Sequence, residues 1–269
     1  MSARNSCLLL LAAVCASAGL AQNQGVPSTV RDYCIKVAPG KSMEYEAFTK
    51  DVSVPLNQAR ADAGELAWYL VARGVIPAGS TAKCDYRVAF GYAGLPPDIA
   101  SAEQLEAALK RAKLNLSARE FLAKRDSLSQ LVAHEIWGQV DSIGPRTEKG
   151  NYVRLNHYKV KPGMTEDWTR LETTYWKPLV DAWVKGGAKT SWGVYQLWMP
   201  EGEDQPYNGM TVDIFSDWNS LLQGPPMDGL WQKVHPHTEA TEVFDRLDRV
   251  RSRHDIEVYK VIELVGPAK

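Results

Sequence analysis

Cysteine and net charge are both scarce in this chain. Only four of its 269 residues are cysteine, and its formal net charge is −1. A chain so close to neutral, with no basic run, lacks the electrostatic surface of a nucleic-acid-binding or membrane-surface protein. Beyond the N-terminal segment, no apolar run is long enough to span a membrane. The composition, 45% hydrophobic and 23% charged, is that of a globular protein with a sizeable core.

The common catalytic motifs are missing as well. The sequence contains no Gly-x-Gly-x-x-Gly turn, no phosphate-binding loop, no Gly-x-Ser-x-Gly and no His-Glu-x-x-His. The segment His235-Pro236-His237 comes nearest to a pair of metal ligands, but the intervening proline disfavours a shared metal ion. We therefore predict neither a metal site nor a cofactor.

Residues 1–21 have the pattern of a signal peptide. Arg4 supplies a positive charge, residues 7–15 form a short apolar stretch, and small residues precede Ala21. We predict cleavage after Ala21, so that the mature protein is secreted or periplasmic. Two of the four cysteines leave with this segment.

The remaining cysteines, Cys34 and Cys84, fall near the first and third predicted strands of the first half of the chain. These strands are expected to be neighbours, and an exported protein can oxidise its cysteines. A disulfide and a pair of small buried hydrophobic side chains are both consistent with this placement.

The chain contains an internal repeat. Pro39-Gly40 and Pro162-Gly163 open two similar stretches 123 positions apart. Repeat one covers residues 30–144 and repeat two residues 151–266, with a short polar linker between them. The same spacing relates Phe48, Val52, Pro55, Leu56, Ala59 and Gly64 to Leu171, Tyr175, Pro178, Leu179, Ala182 and Gly187.

Each repeat predicts the order strand, helix, strand, strand, helix, strand. The predicted first helices, 41–63 and 165–185, each carry a proline in the middle of their apolar stripe. This indicates a bend at the same place in both helices. Ser101-x-x-Gln104 and Ser117-x-x-Glu120 are capping boxes that predict two consecutive helices in repeat one. Among the predicted strands are 86–92 and 152–160.

This order is the ferredoxin-like split βαβ pattern, so we predict an α+β fold of two fused ferredoxin-like repeats. Their open sheet faces would be buried against each other about a pseudo-two-fold axis. The chain resembles the tandem dimeric α+β barrel superfamily, which includes antibiotic-monooxygenase, EthD-like and NIPSNAP-like proteins. The resemblance rests on the order of elements, the duplication and the two Val-x-Pro-Gly turns (37–40 and 160–163). The resemblance implies a cavity between the sheets, with activities from cofactor-free oxygenation and isomerisation to haem chemistry and simple binding.

Side chains alternate between the two faces of each strand, and this alternation predicts which residues line that cavity. Matching Val88 and Phe90 with Val212 and Ile214 places these four toward the helices, and Arg87 and Asp213 toward the interior. Glu257 and Tyr259 alternate inward on the last strand, whereas the faces of the first strand of repeat two are ambiguous. The candidate pocket is therefore Arg87, Arg154, His157, Asp213, Glu257 and Tyr259.

Two histidines, His134 and His254, begin the last predicted strands and are interpreted as repeat-equivalent. Each is followed by an acid. They fit either a pair of acid/base or ligand groups, or structural histidines at helix C-termini that interact favourably with the helix dipole.

Tryptophan is unevenly distributed, with seven of the nine residues in repeat two. Large aromatic side chains of this kind more often fill a core than bind a ligand. If there is a pocket, we expect it to lie in repeat two.

Our main hypothesis is an exported protein that binds a small molecule. The alternatives are a cofactor-independent oxygenase or isomerase for a small hydrophobic substrate, and a structural or interaction protein with a filled barrel. Whether the protein is an enzyme, and its oligomeric state, stay open.

Overall fold

A computed structural model describes residues 28–145, 147–227 and 229–267, so the predicted signal peptide lies outside the described residues. No helix within these ranges is long and apolar enough to cross a membrane. The described residues form eight strands: β1 (Thr29–Val37), β2 (Trp68–Ile76), β3 (Tyr86–Tyr92), β4 (Ser129–Ile143), β5 (Tyr152–Val160), β6 (Ser191–Met199), β7 (Gly209–Phe215) and β8 (Arg251–Val265).

The helices lie in the two long connections of each repeat. Those of repeat one are α1 (Ser42–Phe48), α2 (Val54–Asp62), α3 (Ala102–Arg111) and α4 (Ala118–Leu128). Those of repeat two are α5 (Thr165–Leu171), α6 (Lys177–Lys185), α7 (Trp218–Gln223), α8 (Leu230–Val234) and α9 (Ala240–Val250).

The eight strands close into one barrel, in the order β1-β3-β2-β8-β5-β7-β6-β4, with antiparallel pairing throughout. Each repeat contributes four adjacent strands in the ferredoxin-like order, fourth-first-third-second. The repeats join where β2 meets β8 and where β4 meets β6. The predicted fold class, two fused ferredoxin-like repeats in one pseudo-dimeric barrel, is confirmed. Closure also removes the open edges that would otherwise invite aggregation.

The bend predicted in both first helices is present, and it takes the form of a π-helical turn. Residues Thr49–Ser53 separate α1 from α2, and Glu172–Trp176 separate α5 from α6. Pro55 and Pro178 lie in the first turn of the helix that follows. Because proline has no N–H to donate to the preceding turn, the wide turn comes just before it. The bent helices wrap around the barrel.

Helix ends follow the local sequence signals. Ser101 and Ser117 both cap their helices with a reciprocal capping box, and they begin α3 and α4 as predicted. Gly64 and Gly187, with φ of 75° and 76°, follow the ends of α2 and α6. Glycine takes this left-handed conformation without the strain of a side chain.

Apolar side chains form two cores between helices and sheet, one in each repeat, and a third set inside the barrel. The tryptophans of repeat two belong mainly to the helix-side core. Trp168, Trp183 and Trp231 are buried there, and Trp176 packs against them. The uneven distribution of tryptophan is therefore a consequence of packing in repeat two.

Cys34 and Cys84 form a disulfide in the structure. Cys34 lies on β1, and Cys84 lies two residues before β3, the strand that pairs with β1. Both side chains are buried. The bond thus joins neighbouring parts of the barrel wall.

The expected orientation of β7 was wrong. Cys34 pairs with Arg87, and His157 pairs with Met210, so Arg87 and Met210 occupy the same place in the two repeats. The match of Val88 with Val212 was displaced by one residue. Since side chains alternate between faces, this slip exchanges inside and outside. In the structure Val212 and Ile214 face the interior.

Asp213 consequently lies outside the barrel, toward the helices, and not in the cavity. Its carboxylate accepts hydrogen bonds from Arg154 (Nη2, 2.7 Å; Nε, 3.0 Å), from Asn156 (Nδ2, 2.9 Å) and from the Lys189 ammonium. Arg154 is therefore on the outer face too. Burial alone would raise the pKa of Asp213, but the Lys189 and Arg154 cations lower it to about 2. The cluster is a structural ion network.

Substitution of Asp213 tests this structural role. Asp213→Asn would leave the Lys189 ammonium, with only 1% of its side chain exposed, without a counterion. We expect a loss of about 3–5 kcal/mol in the free energy of unfolding, measured by urea denaturation. Asp141→Asn is the control, because its partly exposed pair with Lys177 should contribute about 1 kcal/mol or less. Equal losses in the two variants would contradict the assignment.

Candidate functional site

The barrel interior contains a cavity of about 470 Å³ that both repeats line. The expectation of a pocket confined to repeat two was therefore wrong. Small residues at inward positions, Ala72 and Ala89, leave room for the cavity. Its walls are largely apolar and include Val30, Leu70, Leu155, Val212, Ile214 and Leu264.

Aromatic side chains surround the cavity at the end where Ser28 and Gly144 lie. The Trp68 ring packs across Gly91, where an added Cβ would lie 2.0 Å from the indole. Trp68 lines the cavity there, and Tyr92 and Trp192 border the same end with side chains that belong to the helix-side cores. Any side chain at Gly91 would displace Trp68, so this glycine is required for close packing at this end of the barrel.

The opposite end of the cavity is polar and is centred on Arg87. Its guanidinium is buried, with 5% of the side chain exposed. Nη1 donates to Asp32 Oδ2 at 2.6 Å, and Nη2 donates to Glu257 Oε2 at 2.9 Å. Glu135 Oε2 lies 3.5 Å from Nη1. Three carboxylates thus surround one guanidinium, and we call Arg87, Asp32, Glu135 and Glu257 the acid cluster.

Hydroxyl and indole donors complete the acid cluster. The Tyr259 hydroxyl donates to Glu257 Oε2 at 3.0 Å and lies 3.4 Å from Arg87 Nε. Glu135 accepts from Trp137 Nε1 at 3.1 Å and from the Tyr207 hydroxyl at 2.6 Å. Tyr207 lies in the connection between β6 and β7. Glu135 and Glu257 therefore each have two or more partners.

Asp32 differs from the other two acids because it borders the cavity. Asp32, Arg87 and Tyr259 line it, whereas Glu135 and Glu257 do not. Burial raises the pKa of Asp32 to about 6, against the lowering effect of Arg87, and Glu135 and Glu257 raise it further. Within the described part of the chain, Asp32 Oδ2 has Arg87 as its partner and Oδ1 has none. A free carboxylate oxygen thus faces the cavity, and it titrates near neutral pH.

Strand pairing shows that part of the acid cluster is duplicated. Glu135 pairs with Asp32 on β1 and Glu257 with Leu155 on β5, and these partners are 123 residues apart. Glu135 and Glu257 therefore occupy equivalent places, as do Trp137 and Tyr259 two residues later. Asp32 has no acidic counterpart, because Leu155 stands there.

Sequence reasoning missed Asp32 and Glu135. Asp32 alternates with the inward Val30 and Cys34 on β1, a signal that could have indicated an inward acid. Glu135 could have been found from the spacing of 122 residues to Glu257. Among the predicted residues, the structure brings together Arg87, Glu257 and Tyr259.

His157 lies inside the barrel but does not border the cavity. Its Nδ1 is 2.6 Å from Asp255 Oδ1, and its ring stacks on Tyr207 with centroids 4.3 Å apart. Its buried Nε2 has no hydrogen-bond partner among the described residues. His157 and Tyr207 together close the barrel beyond the acid cluster.

The two predicted readings of His134 and His254 do not fit the structure. β4 and β8 begin at Ser129 and Arg251, so both histidines lie within strands and not at helix C-termini. Nor are they equivalent. In β4 a bulge lies next to Ala133, which pairs with Cys34. In β8 a bulge lies next to Asp255, which pairs with His157.

Val132 in β4 and His254 in β8 are the residues at these bulges, and neither has a paired residue on the neighbouring strand. His134 is accordingly equivalent to Ile256. It contacts Tyr33 edge-on, with ring centroids 4.7 Å apart, and burial together with Arg31 lowers its pKa. His254 is 40% exposed and lies 3.6 Å from Asp255. Neither histidine lines the cavity.

The donors available to a metal or cofactor are limited. In the described ranges, no group of three or more His, Cys, Asp or Glu side chains is arranged to hold a metal ion. Of the side-chain types that ligate haem iron, the described residues that line the cavity include Met210 and tyrosines but no imidazole or thiolate. His235 uses its Nε2 to contact the Tyr175 carbonyl. The polar lining residues Asp32, Arg87 and Tyr259 are suited to hydrogen bonding and proton transfer.

No family model and no curated protein matches this sequence. Solved structures do match the fold. A proposed monooxygenase from Fusobacterium nucleatum is 10% identical with a TM-score of 0.55, covering 90% of this chain and 95% of that one. A proposed monooxygenase from Lactobacillus acidophilus is 11% identical with a TM-score of 0.54, covering 89% and 96%. An anthrone oxidase-like protein is 11% identical with a TM-score of 0.52, covering 91% and 95%.

At these identities the likeness concerns the fold. The described residues of this chain form a closed barrel of eight strands, four from each repeat. The chain therefore has the tandem dimeric α+β barrel fold, as its sequence resemblance to that superfamily predicts.

Proposed function

We propose that the protein binds a small, largely apolar molecule in the barrel cavity, with the polar group of the ligand at Asp32, beside Arg87 and Tyr259. The cavity itself carries this proposal. At about 470 Å³ it exceeds the roughly 300 Å³ at which small-molecule sites begin. A barrel filled by its own side chains does not describe this interior.

The distribution of chemistry along the cavity supports the same proposal. Apolar walls favour transfer of hydrocarbon surface out of water, but they do not orient a ligand. A few convergent polar groups at one end supply that orientation. Here those groups are Asp32, Arg87 and Tyr259, on three different strands.

Filling the cavity with a larger side chain should weaken ligand binding. Ala89 lines the cavity, and Ala89→Leu would place three more carbon atoms in it. The uncharged fluorescent probe N-phenyl-1-naphthylamine should bind the wild type with enhanced emission, and the variant at least tenfold more weakly. Ala123→Leu, on the exposed face of α4, is the matched control and should bind like the wild type. Unchanged binding by Ala89→Leu would exclude this cavity as the probe site.

A second candidate function is acid-base chemistry on the bound molecule. It is favoured by the free Oδ1 of Asp32, whose pKa of about 6 makes it a competent base near neutral pH. Asp32 would remove a proton from an acidic C–H, leaving the electron pair on the ligand as an enolate. Return of the proton to another carbon completes an isomerisation. Attack of the enolate on molecular oxygen, as co-reactant, would begin an oxygenation.

The Asp32 carboxylate should catalyse hydrogen exchange in a bound carbon acid. In D₂O, wild-type protein should accelerate deuterium incorporation at the α-carbon of 2-tetralone, followed by proton NMR. Because the base acts when ionised, the rate should rise with pH through about 6 and then level off. Asp32→Asn should lose about 100-fold or more of the acceleration.

The control for this experiment is Asp126→Asn, an exposed acid on α4, which should retain the wild-type rate. Thermal unfolding should verify that both variants are folded. Retention of exchange by folded Asp32→Asn would rule out Asp32 as the base.

We also propose that the protein is exported after cleavage of residues 1–21. The Cys34–Cys84 disulfide supports an oxidising compartment. Mass spectrometry of the protein from its native cells should find an N-terminus at Gln22 in the secreted or periplasmic fraction. An uncleaved chain beginning at Met1 in the cytoplasmic fraction would contradict export.

A further inference from the structure

Charge at the polar end of the cavity is unbalanced in favour of acid. Asp32, Glu135 and Glu257 surround the single guanidinium of Arg87. Fully ionised, this cluster would carry a net charge of −2 in a buried environment. Buried charge without a counterion is costly, so the cluster must hold protons or acquire another cation.

The positive charge of Arg87 is already shared by three acids. Its Nη1 contacts Asp32 and Glu135, its Nη2 donates to Glu257, and its Nε lies 3.4 Å from the Tyr259 hydroxyl. Each of its three nitrogens thus has at least one partner in the cluster, and three carboxylates surround its one positive charge. A carboxylate or phosphate entering the cavity would therefore meet more negative than positive charge.

We infer that the cavity takes an ammonium ligand, a primary or secondary amine on an apolar, aromatic skeleton, with the ammonium at Asp32 Oδ1, and that it excludes ligands bearing carboxylate, phosphate or sulfate. This inference rests on the proposed binding function and specifies its ligand class. The ammonium would serve as the missing cation of the acid cluster.

Aromatic side chains at the cavity support an ammonium-bearing aromatic ligand. Trp137 and Tyr259 border the cavity beside the acid cluster, and Tyr195 and Trp68 border it elsewhere. Electron-rich ring faces attract cations, by about 0.5–2 kcal/mol depending on desolvation. The same rings provide stacking surface for the skeleton of the ligand.

Amine binding should be coupled to the protonation of Asp32. The charged or ionisable groups around Asp32 are Arg87 on β3, Glu135 on β4, and Glu257 and Tyr259 on β8. An ammonium pairs with the ionised carboxylate and so displaces its proton. Because the pKa of Asp32 is about 6, apparent affinity should rise as the pH passes through that value.

A matched ligand series tests the inference by isothermal titration calorimetry: 2-(1-naphthyl)ethylamine, 2-(1-naphthyl)ethanol and 1-naphthylacetate. At pH 8 the amine should bind the wild type at least tenfold more tightly than the alcohol. The acid should bind at least tenfold more weakly than the alcohol. At pH 5 the affinity of the amine should fall by about tenfold, while that of the alcohol should change little.

Asp32→Asn should bring the affinities of the amine and the alcohol together and remove the pH dependence. Asp126→Asn should preserve both. Equal or tighter binding of the acid than of the alcohol, or an amine no tighter than the alcohol, would overturn the inference and leave cavity binding intact. If none of the three binds the wild type, the proposed binding function fails, and the inference fails with it. Should Asp32→Asn not fold, the wild-type pH comparison alone decides.

Discussion

Each four-stranded half of this protein has helices on one face only, so the other face must be buried against its twin. The pairings of β2 with β8 and of β4 with β6 close the barrel and satisfy this constraint. Inward side chains are then buried or half-buried whatever their chemistry. Where inward residues are small, as at Ala72 and Ala89, the barrel keeps a cavity, and where they are acidic or aromatic it gains a polar, closed end.

Two buried ion clusters lie on opposite faces of the sheet, and they differ in charge balance. The balanced cluster has a structural role, whereas the unbalanced cluster belongs to the candidate site. Outside the barrel, Asp213 meets two cations, which hold its pKa low. Its charge is neutralised, and the cluster fixes the packing of the helices on the sheet. Inside, Asp32 shares one guanidinium with two other acids, and its pKa is raised. This cluster has capacity for a proton or a cation, and it borders a space that a ligand can enter.

Local signals were sufficient for much of the fold. The predicted bounds of β3 and β5 agree with the structure, and the capping boxes at Ser101 and Ser117 begin the two predicted helices. These features depend on a few neighbouring residues. The facing of β7 could not be obtained this way, because Val212 is hydrophobic and suits either a core or a cavity wall. A displacement of one residue in matching the repeats sent Asp213 to the wrong side.

The sequence by itself determined the duplication, the order of elements and the class of fold, because repeats and amphipathic periods can be recognised from the spacing of residues along the chain. Only the tertiary structure decided which acids meet. The register of β4 and β8 makes Glu135 equivalent to Glu257 and His134 to Ile256, and the pairing of β1 with β3 places Asp32 beside Arg87 at the cavity. Those contacts join strands distant in the chain, and a shift of one residue in pairing reverses the face that each side chain occupies.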